Sequence, residues 1–217
     1  MPPPPGPLPH KEGGGEKRNA IKSFAAIILA AGLSSRMVEN KLLLPWVDGE
    51  PIISHVVKAY VDAGLGPIIV VTGREAAVVG AAVAAYGPTL AHNPDFATGE
   101  MLSSVKVGLR GLREGLGAVF IQPGDMPCVT SAVIGQLGAA HAPGFNVAPV
   151  YQGQRGHPVL LDRAFWRAML DLPAAARPRD VIQGAREKLR LVEVDEKGVV
   201  LDVDTREAYE RGLGRGC

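Results

Sequence analysis

The chain has 217 residues, 47% of them hydrophobic and 21% charged, with a net charge of +1. That length buries a substantial core without staples, and the small net charge gives no global field to recruit nucleic acid or an anionic membrane, so neither is expected as a partner. No apolar run approaches the ~20 residues of a bilayer span, and two cysteines, Cys128 and Cys217, make no disulfide framework, which predicts a reduced, cytoplasmic setting. Residues 1–20, rich in proline and glycine, lack the apolar segment of a secretory signal and read as a disordered tail. Residues 21–213 read as one domain.

The elements follow in order. Phe24–Ala30 is apolar on both faces and bounded by glycine, the pattern of a buried strand. Residues 53–64 put Ile53, Val56, Val57, Tyr60 and Val61 on one helical face, with Gly64 as the stop. A second buried strand is expected at 67–73, an alanine-rich helix at 75–87 and a short strand at 89–94. Residues 103–115 read as a helix with a serine cap, and 118–127 as a strong strand ending in a turn. A helix capped by Thr130 or Ser131 follows. Strands at 145–151 and 157–162 flank the loop QGQRG. Helices are expected at 163–170 and 179–188, two short strands around a turn at Lys197 and Gly198, and a closing helix at 206–213. This alternation predicts an α/β fold: a doubly wound, mostly parallel, Rossmann-like sheet, mixed in its late portion.

In such a sheet ligands bind beyond the carboxyl ends of the strands. The loop after the first strand is therefore the first candidate, with Leu29, Ala30, Ala31, Gly32, Ser34, Ser35, Arg36 and, further on, Lys41. Glycine admits close backbone approach, hydroxyls and amides suit phosphate oxygens, and the two cations suit a triphosphate. The spacing is neither that of a Walker A loop nor that of a G-x-G-x-x-G turn. Asp125, in a turn after the strand at 118–127, suits Mg²⁺, a hard cation shared with phosphate oxygens. Asp202 and Asp204 alternate and would share one face of a strand. One of them could supply a second metal ligand, with a cap for the last helix as the alternative. Arg155 and His157 suit a phosphorylated acceptor, although His157 equally reads as a packing residue.

The segments LAAGLSSRM, NKLLLPW, QPGDMP, NPDFATGEMLSSVKVGL, GQRGHPVLLD and LDVDTREAYE occur in that order. Together they resemble the MobA-like NTP transferase family, whose fold is of the nucleotide-diphospho-sugar transferase type, and within it the molybdenum cofactor cytidylyltransferase (MocA-like) branch. The resemblance implies an Mg²⁺-dependent transfer of CMP from CTP to the phosphate of molybdopterin, with release of pyrophosphate. It implies Arg36, Lys41 and Asp125 as catalytic residues, and Asp125 and Asp204 as metal ligands. Thr72 and Gly73 would lie near the base or ribose, Gly99 and Ser103 near the nucleotide, and Arg179 on the acceptor side with Arg155 and His157. A molybdoenzyme is the implied downstream partner. Family members reading L-A-A-G tend toward CTP and those reading L-A-G-G toward GTP; this chain has Ala31. Three departures stand out: Val38 where the family has glycine, Glu100 before Met101, and DLPAAARPRD at 171–180 in place of a glycine-rich segment. The last bears on the acceptor. Another base, another phosphorylated acceptor, or a non-catalytic escort of the cofactor are the competing readings.

Overall fold

The computed structural model describes residues 23–32, 40–98 and 100–215; the tail at 1–20 lies outside them. Eight strands form one sheet: β1 (Phe24–Ala30), β2 (Ile68–Thr72), β3 (Thr89–His92), β4 (Ala118–Pro123), β5 (Asn146–Tyr151), β6 (Gln154–Arg155), β7 (Val159–Asp162) and β8 (Leu189–Glu193). The order is β3-β2-β1-β4-β7-β5, with β6 and β8 also paired to β5. The pairs β1–β2, β1–β4, β2–β3 and β5–β8 are parallel, and β7 runs antiparallel between β4 and β5. This is the expected mixed, mostly parallel sheet.

Among the described residues seven α-helices cover it: α1 (Ile52–Asp62), α2 (Ala76–Val83), α3 (Met101–Arg110), α4 (Ser131–Ala140), α5 (Trp166–Asp171), α6 (Pro178–Gly184) and α7 (Arg206–Arg215). None of the helices is long and apolar enough to cross a membrane. The all-apolar β1 is explained by burial on both faces. Phe24, Ala26, Ile28 and Ala30 enter one core with Val56 and Tyr60 of α1 and Ile134 of α4. Ala25 and Ile27 enter the other, with Val105 of α3, Met169 of α5 and Ile182 of α6. Side chains alternate along a strand, so a central strand with a core on each side has no polar face to keep.

Four local expectations are corrected. The helix expected at 103–115 starts earlier, at Met101, and its N-cap is Glu100. Ser103 lies inside it, and its hydroxyl donates to the Glu100 carbonyl. The helix expected at 179–188 ends at Gly184 and gives way to a 3₁₀ turn, Arg186–Lys188. Of the two late strands only β8 forms; Lys197–Val200 is a 3₁₀ turn, and 201–204 carry no strand. The backbone there bonds singly to two different turns rather than along one neighbour, as described below. Finally, Cys128 is buried in the core and disulfide-bonded, against the expectation that the cysteines make no disulfide framework. Thr130 does cap α4, accepting from the Val133 N–H at 3.3 Å.

Candidate active site

From β1 the chain builds outward through β2 and β3, then returns to place β4 on the other flank of β1. The carboxyl ends of β1 and β4 therefore frame the point where strand order reverses, the usual ligand crevice of an open α/β sheet. Gly124 keeps the two ends together. Its N–H donates to the Leu29 carbonyl at 2.9 Å. A Cβ at Gly124 would stand 2.9 Å from that same oxygen and 3.0 Å from Ile53, so a side chain would pry the ends apart. Asp125 follows directly.

Lys41 opens a 3₁₀ turn, Lys41–Leu43, whose cap is Asn40. The Asn40 side chain accepts from the Leu42 N–H at 3.1 Å and donates to Glu75 at 2.5 Å, while Leu42 is buried in the core. The turn is thus pinned at both ends, and the lysine is aimed by its neighbours. Its ammonium donates to Asp125 Oδ2 at 2.5 Å and to Asp204 Oδ1 at 2.6 Å. Asp204 arrives from the far end of the chain. The Val203 N–H donates to the Asp125 carbonyl at 2.9 Å, and the Val199 carbonyl accepts from the His157 N–H at 2.8 Å. The segment 198–204 is a strap across the ends of β4 and β7, held at both of these turns.

The Lys41, Asp125 and Asp204 side chains are 15%, 18% and 38% exposed. Burial pulls the Lys41 pKa down, but the two carboxylates outweigh it, and the net shift is upward from 10.5. Lys41 is held as the ammonium. Asp202 is pushed up from 3.8, first by burial and then by the charges of Asp204 and Asp125. Two carboxylates share one lysine and a third lies within reach of its charge, an arrangement that attracts further cation.

A divalent metal fits these residues on one specific observation. Asp125 Oδ1 is buried and has no hydrogen-bond partner. An ionised oxygen so placed costs free energy until a donor or cation reaches it. Asp125 and Asp204, which meet at Lys41, would be the residues to hold Mg²⁺. Among the described residues no three histidine, cysteine or acidic side chains already form a metal-ligating group. A magnesium ion here would draw its other ligands from water and phosphate, which is its habit.

Two cavities meet at this point. One, of about 220 Å³, is lined by Leu29, Ala31, Gly32, Lys41, Ser104 and Asp125, among others. The other, of about 370 Å³, is lined by Arg155, His157, Arg177, Arg179 and Met169, among others. Glu100 and Met101 line both. The structure thus gathers Leu29, Ala31, Gly32, Lys41 and Asp125 at the first cavity, and Arg155, His157 and Arg179 at the second. Other expected residues stand elsewhere. Ala30 is packed in the core, and Thr72 is buried within β2. Gly73 backs onto the Ala31 carbonyl and Phe96 without lining the cavity. Ser103 is turned toward Asn93, which donates to the hydroxyls of both Ser103 and Ser104. Ser34, Ser35, Arg36 and Gly99 lie outside the described residues.

His157 is mostly buried. Burial lowers its pKa from 6.5, and the charge of Arg155 lowers it further, against a hydrogen bond to the Ile121 carbonyl and the charge of Asp125. The imidazole is held neutral. Residues that the sequence reading missed are Asn40, Asn93, Ser104 and Arg177. Asn93 follows β3 directly in the Asn-Pro turn, fully buried, a position where an asparagine must bond its neighbours. Arg177 gave no local signal.

The model of the MobA-like NTP transferase domain matches residues 26–193. The chain belongs to the MobA-like NTP transferase family. It is 30% identical over 191 residues to the molybdenum cofactor cytidylyltransferase of Escherichia coli (strain K12), covering 87% of this chain and 95% of that protein. It is 35% identical over 134 residues to the bifunctional protein GlmU of Agrobacterium fabrum, but spans only 29% of that longer protein. The crystal structure of Rv0371c from Mycobacterium tuberculosis H37Rv in complex with manganese is 26% identical, with a TM-score of 0.75 over 88% of this chain and 98% of that one. A nucleotidyl transferase from Methanothermobacter and a CMP:2-keto-3-deoxy-manno-octonic acid synthetase share the fold at 22% and 17% identity, with TM-scores of 0.76 and 0.71. The MobA-like fold places the Lys41, Asp125 and Asp204 cluster at the crevice between β1 and β4.

Proposed function

We propose that this MobA-like protein transfers CMP from CTP to the phosphate of a molybdopterin-type acceptor in the cytoplasm, with release of pyrophosphate and with Mg²⁺ as cofactor. The observation that carries the reading is the convergence of Lys41 on Asp125 and Asp204 where two cavities join, with one Asp125 oxygen buried and unpaired. The cytidylyl and molybdopterin assignments draw support from the Escherichia coli relative and from Ala31. The metal draws support from the manganese complex of the Mycobacterium tuberculosis relative.

The chemistry asks for alignment and charge control more than for covalent help. The smaller cavity takes the triphosphate, with Ala31 and Gly32 offering backbone at close range. The larger takes the acceptor, its phosphate facing Lys41. An oxygen of that phosphate attacks the α-phosphorus, the bond from that phosphorus to its bridging oxygen breaks, and pyrophosphate leaves. A phosphate is already anionic, so no proton need be removed. Lys41 exchanges a carboxylate for an α-phosphate oxygen and offsets the charge that gathers there. Asp125 and Asp204 would hold Mg²⁺, which when bound would supply positive charge against that of the phosphates.

The test is Asp125→Ala. A transferase loses turnover by orders of magnitude while its circular dichroism stays native. An escort keeps its cofactor binding and has no turnover to lose. A wild-type protein that binds molybdopterin and releases no pyrophosphate from any nucleoside triphosphate would overturn the enzyme reading.

A further inference from the structure

A third cavity, of about 320 Å³, shares no described lining residue with the two at the crevice. It lies between α7 and the strap, lined by Trp46, Lys197, Leu201, Asp202, Val203 and Arg211, among others. Asp204 does not line it; that side chain accepts from Lys41. Gly198 and residues 201–203 of the strap thus wall this cavity, while the next residue, Asp204, serves the catalytic cluster. The strap is one short segment with a cavity against it and a reacting group at its end.

Two observations say what the cavity would take. Trp46 is 4% exposed, and its indole Nε1 is buried with no hydrogen-bond partner. The ring is fixed in place. Tyr209 of α7 stands 5.9 Å away between ring centroids, and its hydroxyl donates to the Pro45 carbonyl. A Cβ at Gly212 would come 2.1 Å from the indole Cη2, so α7 lies directly against it. An indole N–H can only donate, and a buried one without an acceptor costs free energy. The second observation is charge. Lys197 and Arg211 line the cavity against one carboxylate, Asp202, among the described residues. Neither cation belongs to an ion pair among those residues. The neighbouring acids have other partners: Glu196 accepts from Thr130, Glu210 from Arg206, and Glu207 is bonded at its own backbone N–H and at Thr205. Leu201, Val203 and Ala208 make the rest of the wall apolar. One buried donor and two cations call for an oxyanion, and the apolar wall calls for a body to carry it.

We infer that this cavity is an effector site for a small organic anion, a carboxylate or phosphate on an apolar body, which accepts from Trp46, pairs with Arg211 and Lys197, and holds the strap in place. Four strap residues form the wall, so the site is complete only while the strap is seated. A ligand that binds the seated strap alone shifts the population toward it. The seated strap is the one that brings Asp204 to Lys41, so the bound anion raises turnover. The binding site stands apart from the transferase reading above; the effect on turnover rests on that reading.

The experiment uses the full-length protein. Benzoate, phenyl phosphate and neutral benzyl alcohol are titrated calorimetrically, with and without saturating CTP. At least one of the two anions is expected to bind about tenfold more tightly than benzyl alcohol, and the better of them names the head group. CTP does not displace it. Arg211→Gln, at an exposed position, weakens the anion roughly tenfold. Trp46→Phe keeps a ring, loses the N–H and weakens it about two- to tenfold; if that variant does not fold by circular dichroism, Arg211→Gln decides alone. Bound anion slows amide hydrogen exchange over 198–204 in wild type and not in Arg211→Gln. It also raises pyrophosphate release from CTP by about twofold or more in wild type, while Arg211→Gln keeps the unstimulated rate. No binding, equal binding of benzyl alcohol, displacement by CTP, or an affinity indifferent to Arg211 overturns the site. Binding that leaves exchange over 198–204 unchanged, or that leaves the rate of an active enzyme unchanged, overturns the effector role. Arg211-dependent binding and slowed exchange in a protein that releases no pyrophosphate would leave the site standing and remove the transferase reading.

Discussion

Gly198→Ala tests how Asp204 is held in place. Gly198 is buried in the 3₁₀ turn that begins the strap. A Cβ there would stand 2.0 Å from the Cys128 carbonyl oxygen and 2.6 Å from its carbon. Carbon and carbonyl oxygen touch at roughly 3.3 Å, so the strap must retreat by about 1 Å. Nothing flexible absorbs the clash, because the atoms met first are backbone. The retreat pulls on the bond from the Val203 N–H to the Asp125 carbonyl and displaces Asp204 from Lys41. Overpacking of this kind costs about 1–3 kcal/mol. In a domain of this size that lowers Tm by roughly 2–4 °C per kcal/mol. A misplacement near 1 Å at the reacting groups costs about a hundredfold in turnover. Urea and thermal unfolding measure the first, and pyrophosphate release at a temperature well below the transition measures the second. A Gly198→Ala protein as stable and as active as wild type refutes the close approach. Lost stability with normal turnover keeps the contact but denies that the strap positions Asp204.

Lys41→Met removes the cation that two carboxylates share and is expected to lower kcat by roughly 10²–10³-fold with native circular dichroism; single-turnover kinetics check it. Thr130→Ala removes the cap of α4, which also donates to Glu196 at 2.6 Å, and should cost about 1 kcal/mol of stability in a urea titration, leaving turnover unchanged. His157 gives a pH dependence. Its folded pKa lies below the 6.5 of the free side chain, so the unfolded chain binds this proton more readily. Stability is therefore intact above 6.5 and drains as pH falls through 6.5 toward the lower folded value. His157→Gln should flatten that part of the curve in unfolding titrations across the interval.

The sheet was legible where burial was complete. β1, β2 and β4 are short apolar runs with no polar face, and the sequence shows them directly. The strap was not legible. Residues 199–204 alternate like a strand, but their backbone groups are met one at a time by the His157 and Asp125 turns, so no ladder forms. The start of α3 was misread because Ser103 looks like a cap, while its hydroxyl serves Asn93 and the Glu100 carbonyl. Lys41 and Asp125 could be found because they follow the ends of buried strands in recognisable segments. Glu100, Ser104 and Arg177 owe their positions to where α3 and α6 cross the sheet, and no spacing along the chain encodes that. Thr72 and Ala30 lie at the ends of strands that point toward the crevice, yet their side chains turn into the core.

The most direct measurement is pyrophosphate release from CTP, GTP, ATP and UTP in Mg²⁺, each with and without molybdopterin. Release from CTP that requires molybdopterin, and that disappears on chelation of the metal, is the predicted result. Release from GTP instead would contradict the base assignment, and release from none of the four by a folded protein that binds nucleotide would contradict the proposed transfer itself.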